Sequence, residues 1–366
     1  MGKSYYSLGL MSGTSMDGVD ASIIPSDGET KYKVIMDKYF EYPLDIYKNL
    51  TKLRDKIKSS KDLQKFSKEI KNTEKEITIF HAQAVEQILK KIKVNVDLIG
   101  FHGQTIYHNA REKISRQIGD EKLLSKLTKK NVVYDFRQND LKNGGEGAPL
   151  TPIFHQMLEK KFNIKPVSFI NMGGILNITT IWNSGELSAK DEGPGMCLID
   201  KWIRTNSKHK YDTNGDIAKS GKVNKIILNN YFNKYKFSNP NQKSYDTNDF
   251  DISLVKGLSL EDGAATLTYY TANILFSFFL ANKLMKIKEK IILCGGGRKN
   301  KFLINLIRNK NKEVKLIDDY GINGDFVESQ AFAYLAIRSY LKLSISFPET
   351  TGVKKPCTGG EILKNY

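Results

Sequence analysis

Gly9-Leu10-Met11-Ser12-Gly13-Thr14-Ser15-Met16-Asp17-Gly18-Val19-Asp20 closes a short apolar and aromatic run at residues 4–10 and opens another at 18–24. The two runs read as strands, and the small residues between them as a turn. Residues 31–39 complete a meander, with Tyr32, Val34 and Met36 alternating against Lys31, Lys33, Ile35 and Asp37. Small side chains let backbone approach a polyphosphate closely, so that successive N–H groups and two hydroxyls donate to its oxygens. A carboxylate in the same stretch suits Mg²⁺, usually through water, because that ion keeps much of its hydration shell. No Gly-Lys-Ser/Thr follows, so this is not a Walker loop. A plain hairpin turn would use the same residue types. The nearly unbroken run of small and acidic positions favours the phosphate reading.

The layout returns later in the chain. Residues 167–172 read as a strand ending at Gly173-Gly174, residues 175–182 as the next, and 186–190 as a third beyond the Asn183-Ser184-Gly185 turn. Strand, glycine turn, strand, turn, strand thus occurs near residue 5 and again near residue 167. That repeat predicts two related α/β domains facing a cleft, residues 1–165 and 166–366, with the last helix free to pack back on the first domain. Between the two repeats, residues 45–93 carry Ile77, Phe80, Ala84, Val85, Ile88 and Ile92 at helical spacing. A buried-type strand at 96–101 ends at His102-Gly103-Gln104-Thr105, and another at 132–136 ends at Arg137. Residues 264–287 and 326–343 read as long helices. A strand at 290–293 runs into Cys294-Gly295-Gly296-Gly297, and the tail from 348 reads as irregular.

The 366 residues suit two domains at roughly 150 residues each. A chain with 40% hydrophobic and 27% charged residues is an ordinary packed protein, which excludes disorder as the whole account. Three scattered cysteines, Cys197, Cys294 and Cys357, exclude a disulfide framework or a structural zinc site and fit a reducing compartment. No secretory pattern opens the chain, and the apolar run at 274–281 falls far short of the roughly 20 residues of a membrane helix. A cytoplasmic protein with no membrane partner is expected. The net charge of +17 rests on 49 Lys and only eight Arg. Without an Arg cluster interleaved with aromatics, nucleic acid is not the expected partner. The lysines read as a solvated surface with some attraction for anionic substrates.

Four further motifs carry chemistry. Asn171-Met172-Gly173-Gly174-Ile175-Leu176-Asn177-Ile178-Thr179 holds the glycine turn equivalent to the first, so the pair suits a clamp on phosphates. Cys294-Gly295-Gly296-Gly297-Arg298-Lys299-Asn300 allows a flat adenine or ribose to lie against backbone; a wide loop is the plainer reading. Asp191-Glu192-Gly193-Pro194-Gly195 sets a carboxylate in a rigid turn, which suits a positioned general base, although Asp, Gly and Pro all favour turns anyway. His102, Gln104 and Thr105, with Asp135-Phe136-Arg137, suit hydrogen bonds to a sugar and pairing with a carboxylate. His102 and His108 have no companions that would make a metal site.

Taken together and in order, these motifs resemble the anhydro-N-acetylmuramic acid kinase family, within the sugar kinase, Hsp70 and actin superfamily. The resemblance spans nearly the whole chain and also includes Gly145-Glu146-Gly147-Ala148-Pro149 and Glu328. It implies two actin-like (ribonuclease H-like) domains flanking a nucleotide-binding cleft, ATP and Mg²⁺ as cofactors, and an amino-sugar substrate from cell-wall (peptidoglycan) recycling. Such enzymes open the anhydro ring with water and phosphorylate the freed oxygen, giving N-acetylmuramic acid 6-phosphate. The resemblance makes Asp191 the base that activates water, with Glu328 a carboxylate near the sugar. It gives ATP contacts to Gly13, Thr14, Ser15, Met16, Asp17, Gly18, Val19, Asp20, Gly173, Gly174, Gly295, Gly296 and Asn300, with Asp17 the Mg²⁺ partner through water. It lines the sugar side with His102, Gln104, Thr105 and Arg137, and suggests a homodimer. Arg137 is the chemical choice for the substrate's lactyl carboxylate. Two residues depart from the family turn Asp-Thr-Gly-Pro-Gly-Asn: Glu192 adds a charge that raises the pKa of the base if unpaired, and Met196 removes an amide. A kinase for another sugar and a non-catalytic actin-like nucleotide switch are the alternative readings.

Overall fold

The computed structural model describes residues 3–234, 244–281, 289–311 and 313–365. The chain divides into two compact units, Met1–Lys161 with Phe326–Tyr366, and Phe162–Asp325. The second unit therefore ends at Asp325, and the last helix joins the first unit, the course the sequence reading left open for it. The last 41 residues belong to the first unit.

In the first unit, β1 (Tyr5–Ser12), β2 (Gly18–Ser26) and β3 (Met36–Glu41) form an antiparallel meander. The third strand starts five residues later than the alternation suggests. Asp27 Oδ1 accepts from the N–H groups of Glu29, Thr30 and Lys31, so that backbone folds locally instead of pairing. Three helices follow, Leu44–Lys56, Ser60–Lys65 and Ser67–Leu89, where the periodicity reads as one stretch. The break falls at Ser59, where a capping box with Asp62 starts a new helix.

Next come β4 (Leu98–Asn109), parallel to β1, and β5 (Ile114–Ile118), which folds back on it. The segment His102–Thr105 was expected to end a strand. It lies inside β4, because the β5 hairpin keeps that strand paired to Asn109. Then β6 (Asn131–Tyr134) pairs parallel to β4.

The second unit repeats the plan. Strands β7 (Val167–Met172), β8 (Ile175–Ile181) and β9 (Leu187–Pro194) form the meander. Strand β10 (Lys290–Cys294) runs parallel to β7, and β11 (Val314–Leu316) parallel to β10. The Asp191–Pro194 segment was expected to be a turn, but it completes β9. Back in the first unit, β12 (Glu361–Leu363) pairs with β6, so part of the tail read as irregular forms a sheet edge.

The strand orders are β12-β6-β4-β1-β2-β3 and β11-β10-β7-β8-β9. Both units thus place a three-stranded meander beside parallel strands in the order of a ribonuclease H-like, actin-like domain. Each has its own apolar core, built around Leu8, Ile23, Val85 and Ile99 in one and Ile170, Trp202, Tyr270 and Leu293 in the other. In the second core, Leu267, Leu275 and Phe278 come from helix Leu260–Ala281. Residues 282–287 of the helix expected there lie outside the described residues.

Helix Val327–Tyr340 explains the return of the chain. Twelve of its residues are buried, on every face, so it lies at the centre of a unit, with Ser329, Gln330, Arg338 and Ser339 buried among its apolar residues. It crosses β1 and β4 where both strands carry glycine. A Cβ on Gly9 would fall 1.9 Å from the Ser329 carbonyl oxygen, and one on Gly100 2.4 Å from that of Phe332. No helix among the described residues is long and apolar enough to cross a membrane.

Candidate active site

The loop between β1 and β2 is held from beneath and left open above. Ser12 Oγ lies 2.9 Å from Tyr42 Oη and 3.2 Å from His81 Nε2. His81 Nδ1 faces the Ile77 carbonyl at 2.7 Å and must donate to it, so Nε2 accepts from Ser12 and Ser12 accepts from Tyr42. Burial pushes the His81 imidazole down to about 4, which keeps it neutral in this role. Gln104 Nε2 donates to the Gly13 carbonyl at 3.0 Å, and Arg54 to that of Thr14 at 3.1 Å. The Met16 and Val19 side chains belong to the core, so these two expected nucleotide contacts offer backbone only. Thr14 and Ser15 are exposed. Asp17, half-buried, accepts from Ser15 Oγ at 2.5 Å, while its carbonyl takes the Tyr42 N–H and the Tyr39 hydroxyl.

A second group in this unit gathers at β4 and the helix after β6. Arg137 donates to the Gly147 carbonyl at 2.7 Å through Nη1, and to His102 Nε2 at 3.0 Å through Nη2. His102 Nδ1 donates to the Gly103 carbonyl at 2.8 Å. Burial, with the Arg137 guanidinium beside it, holds the His102 imidazole well below its ordinary value, so it accepts from Arg137 as a neutral ring. Its ring rests on Phe332, with centroids 4.4 Å apart. Glu328 precedes Phe332 by one helical turn and so shares that face of the helix. His102, Arg137 and Glu328 are thereby brought to one neighbourhood. Gln104 is fully buried against the loop, and Thr105 Oγ1 accepts from Gln117 at 3.1 Å. Both side chains brace backbone and strand, and Gln104 Oε1 has no hydrogen-bond partner among the described residues.

In the second unit the site is a row of polar side chains across the sheet. Asn171 on β7 lies opposite Asn177 on β8, which lies opposite Asp191 on β9. Asn171 Nδ2 reaches Asn177 Oδ1 at 3.4 Å, and Asn177 Nδ2 donates to Asp191 Oδ1. The other Asp191 oxygen accepts the Tyr245 N–H at 2.8 Å. At the far end of the row Gly295 packs against Asn171, where a Cβ would fall 2.3 Å from its Oδ1. One sheet end therefore carries the Asp191 carboxylate and the 295–297 glycines. The register slips by one residue between Leu176 and Asn177, leaving Glu192 as the extra residue of a bulge. Glu192 pairs with Lys190 at 2.6 Å, so the condition for a repulsive unpaired charge beside Asp191 is not met. Met196 donates its N–H to the Gly173 carbonyl at 2.9 Å, as Gly195 does to that of Gly174.

Asn300 Oδ1 caps helix Lys301–Lys310 through the Leu303 N–H at 2.9 Å, which leaves its Nδ2 for the expected nucleotide contact. Arg298, buried and outside the expected set, holds the glycine turn. It donates to the Gly295 carbonyl and pairs with Asp318 and Asp325, each at 2.7 Å. Among the described residues no group of three or more His, Cys, Asp and Glu side chains stands where it would hold a metal ion.

The model of the family described as anhydro-N-acetylmuramic acid kinase matches residues 5–365. The chain belongs to that family. It is 56% identical to the anhydro-N-acetylmuramic acid kinase of Pelagibacter ubique over the full length of both proteins. It is 40% identical to that of Zymomonas mobilis, covering 97% of this chain and 98% of the relative. Among solved structures, an activator of 2-hydroxyisocaproyl-CoA dehydratase from Clostridium difficile with bound ADPNP aligns at a TM-score of 0.43 and 11% identity. That alignment covers 91% of this chain and 94% of the other. Membership of the family makes the chain an ATP-using kinase of cell-wall recycling, and removes the reading as a non-catalytic switch.

Asn177, Tyr245 and Arg298 were missed in the sequence because each acts through another group. Asn177 alone left a signal. It sits six residues after Asn171 across a two-residue turn, which puts both on one face of a hairpin.

Proposed function

We propose that this chain opens the anhydro bridge of 1,6-anhydro-N-acetylmuramic acid with water and phosphorylates the freed oxygen from ATP, with Asp191 as the base. The supporting observation is the Asp191 carboxylate, buried at the sheet end and oriented by the Asn177 side-chain amide on one oxygen and the Tyr245 N–H on the other. Donors on both oxygens fix the direction of the carboxylate, as a general base needs. Water oxygen bonds to the anomeric carbon as the bond from that carbon to the bridging oxygen breaks. Asp191 takes the water proton, and the bridging oxygen takes the γ-phosphoryl group as ADP leaves. The first half follows the logic of an inverting glycosidase, and the second needs alignment and charge neutralisation.

In this reading Gly13–Asp17 backbone with the Thr14 and Ser15 hydroxyls meets phosphate, as do the glycines at 173 and 174, while those at 295 and 296 take adenine or ribose. Arg137 takes the lactyl carboxylate and Glu328 lies near the sugar. The Asp17 carboxylate on an open loop fits a hydrated Mg²⁺ bridged to phosphates, which needs only one or two protein carboxylates. Bound there, the ion would neutralise charge on the transferring group. A cytoplasmic homodimer without nucleic-acid partners completes the proposal.

The test is turnover in ¹⁸O-labelled water with mass spectrometry of the sugar product. Label at the anomeric hydroxyl, with unlabelled phosphate, is expected. An unlabelled product would end the coupled mechanism. ADP release stimulated equally by other amino sugars would favour a kinase of another substrate.

A further inference from the structure

Asp140 lies in the short helix Gln138–Lys142, three residues beyond Arg137, and belongs to none of the motifs above. It is fully buried. A buried carboxylate persists only where the surroundings compensate it, and here the compensation is specific. Asp140 Oδ1 accepts the Gly147 N–H at 2.6 Å, while Oδ2 has no hydrogen-bond partner among the described residues. The carbonyl of the same Gly147 receives Arg137 Nη1 at 2.7 Å. Arg137 then reaches His102 through Nε and Nη2. Asp140, Gly147, Arg137 and His102 thus form one chain of contacts ending at the guanidinium.

The loop is shaped around this carboxylate. A Cβ on Gly145 would fall 2.1 Å from Asp140 Oδ1, and Gly147 has φ +75°, a conformation that favours glycine. From the other side, Lys113 Nζ holds the carbonyls of Gly144 and Gly145 at 2.8 and 2.9 Å.

We propose that Asp140 is a positioning residue for substrate recognition: through Gly147 it aims the Arg137 guanidinium, and so sets the seat of the substrate's carboxylate. The proposal rests on the reading of Arg137 as the carboxylate's partner. A planar guanidinium recognises a carboxylate by geometry, so fixing its direction beforehand lowers the cost of binding. The effect belongs in sugar affinity and not in nucleotide affinity.

Steady-state kinetics of the intact enzyme test this, with sugar and ATP varied separately and thermal unfolding as the folding control. Asp140→Ala is expected to raise the sugar KM about tenfold, the usual scale for one hydrogen bond to a charged group. The kcat and the ATP KM should stay within about twofold. Asp140→Leu removes the acceptor while filling the space, and should give the same split if the alanine variant folds poorly. Asp140→Asn keeps an acceptor oxygen and should restore most of the affinity. The double variant Asp140→Ala/Arg137→Ala should be no worse than Arg137→Ala alone, because the two act as a unit. Additive losses, an equal rise in the ATP KM, or no rescue by asparagine would overturn the Asp140 proposal. An unchanged sugar KM in Arg137→Ala would instead end the reading of Arg137. A raised KM there with a normal one in Asp140→Ala and Asp140→Leu would end only the inference about Asp140.

Discussion

The two sheets share one strand order, yet at matching places they hold opposite chemistry. One pair short of the first turn in the first unit stand Leu10, Ala21 and Lys38 in a row across β1, β2 and β3. The same row in the second unit is Asn171, Asn177 and Asp191. The turns differ likewise. The first is a five-residue loop with exposed hydroxyls, braced through the carbonyls of Gly13, Thr14 and Asp17. The second is a glycine pair whose carbonyls are taken by the N–H groups of Gly195, Met196 and Cys197. Topology brings a loop and a sheet end to the same relative position twice, and the residues placed there divide the labour. The first unit carries hydroxyls and a carboxylate on an open loop, and the second carries a buried, oriented carboxylate.

The sharpest way to break that division is Asp191→Asn. Loss of a general base costs roughly 10²–10⁴-fold in turnover, so sugar-dependent ADP formation should fall by that range. Nucleotide binding, measured by calorimetry, should survive. Near-normal turnover would remove the base from the second unit altogether.

The units should also part company in acid. His81, His102 and His155 are buried in the first unit, where burial pushes His81 to about 4 and His155 to about 3 and holds His102 well below its ordinary value. These folded values lie below the unfolded one near 6.5, so the unfolded state binds more protons as pH falls. Stability of the first unit should therefore be lost from about pH 6.5 down toward 4, by on the order of 2 kcal/mol per buried imidazole at pH 5. The second unit has one histidine, His209, which is exposed. Its buried Glu192 and Glu289 are pushed up by burial, so acid neutralises them without penalty. Hydrogen exchange read by mass spectrometry at pH 7 and pH 5 should show protection falling first in residues 3–161. Equal loss in both units would dissolve the contrast.

The smallest expected effect comes from Asn177→Ala. It deletes a donor that orients Asp191, so kcat should drop about tenfold with the ATP KM unchanged, the usual scale for a hydrogen bond to a charged group. A kcat equal to the parent's would mean that Asn177 is not needed to orient Asp191.

Much of the fold was readable from local pattern. The run at 167–172 is a strand to the residue, and the repeated meander signalled two related units, because alternation and glycine turns are properties of neighbours in sequence. Strand ends were less readable. His102–Thr105 and Asp191–Pro194 looked like turns from their small and polar residues, yet both lie in strands. Pairing with β5 extends the first, and a bulge at Glu192 accommodates the second. The contact of Gln104 with the Gly13 carbonyl was not readable, because it requires β4 to lie beside β1.

The amino-acid order by itself determined the strand–turn chemistry, the repeated plan and the family, since each is written in short stretches read in succession. Only the tertiary structure decided that residues 326–366 return to the first unit, that Asn177 and the Tyr245 N–H hold Asp191, and that Asp140 reaches Arg137 through Gly147. The physical reason is that a hydrogen bond between distant residues depends on which backbones pack closely enough to meet. At β1 and β4 that approach rests on the missing side chains of Gly9 and Gly100, whose consequence appears only once the helix lies across them.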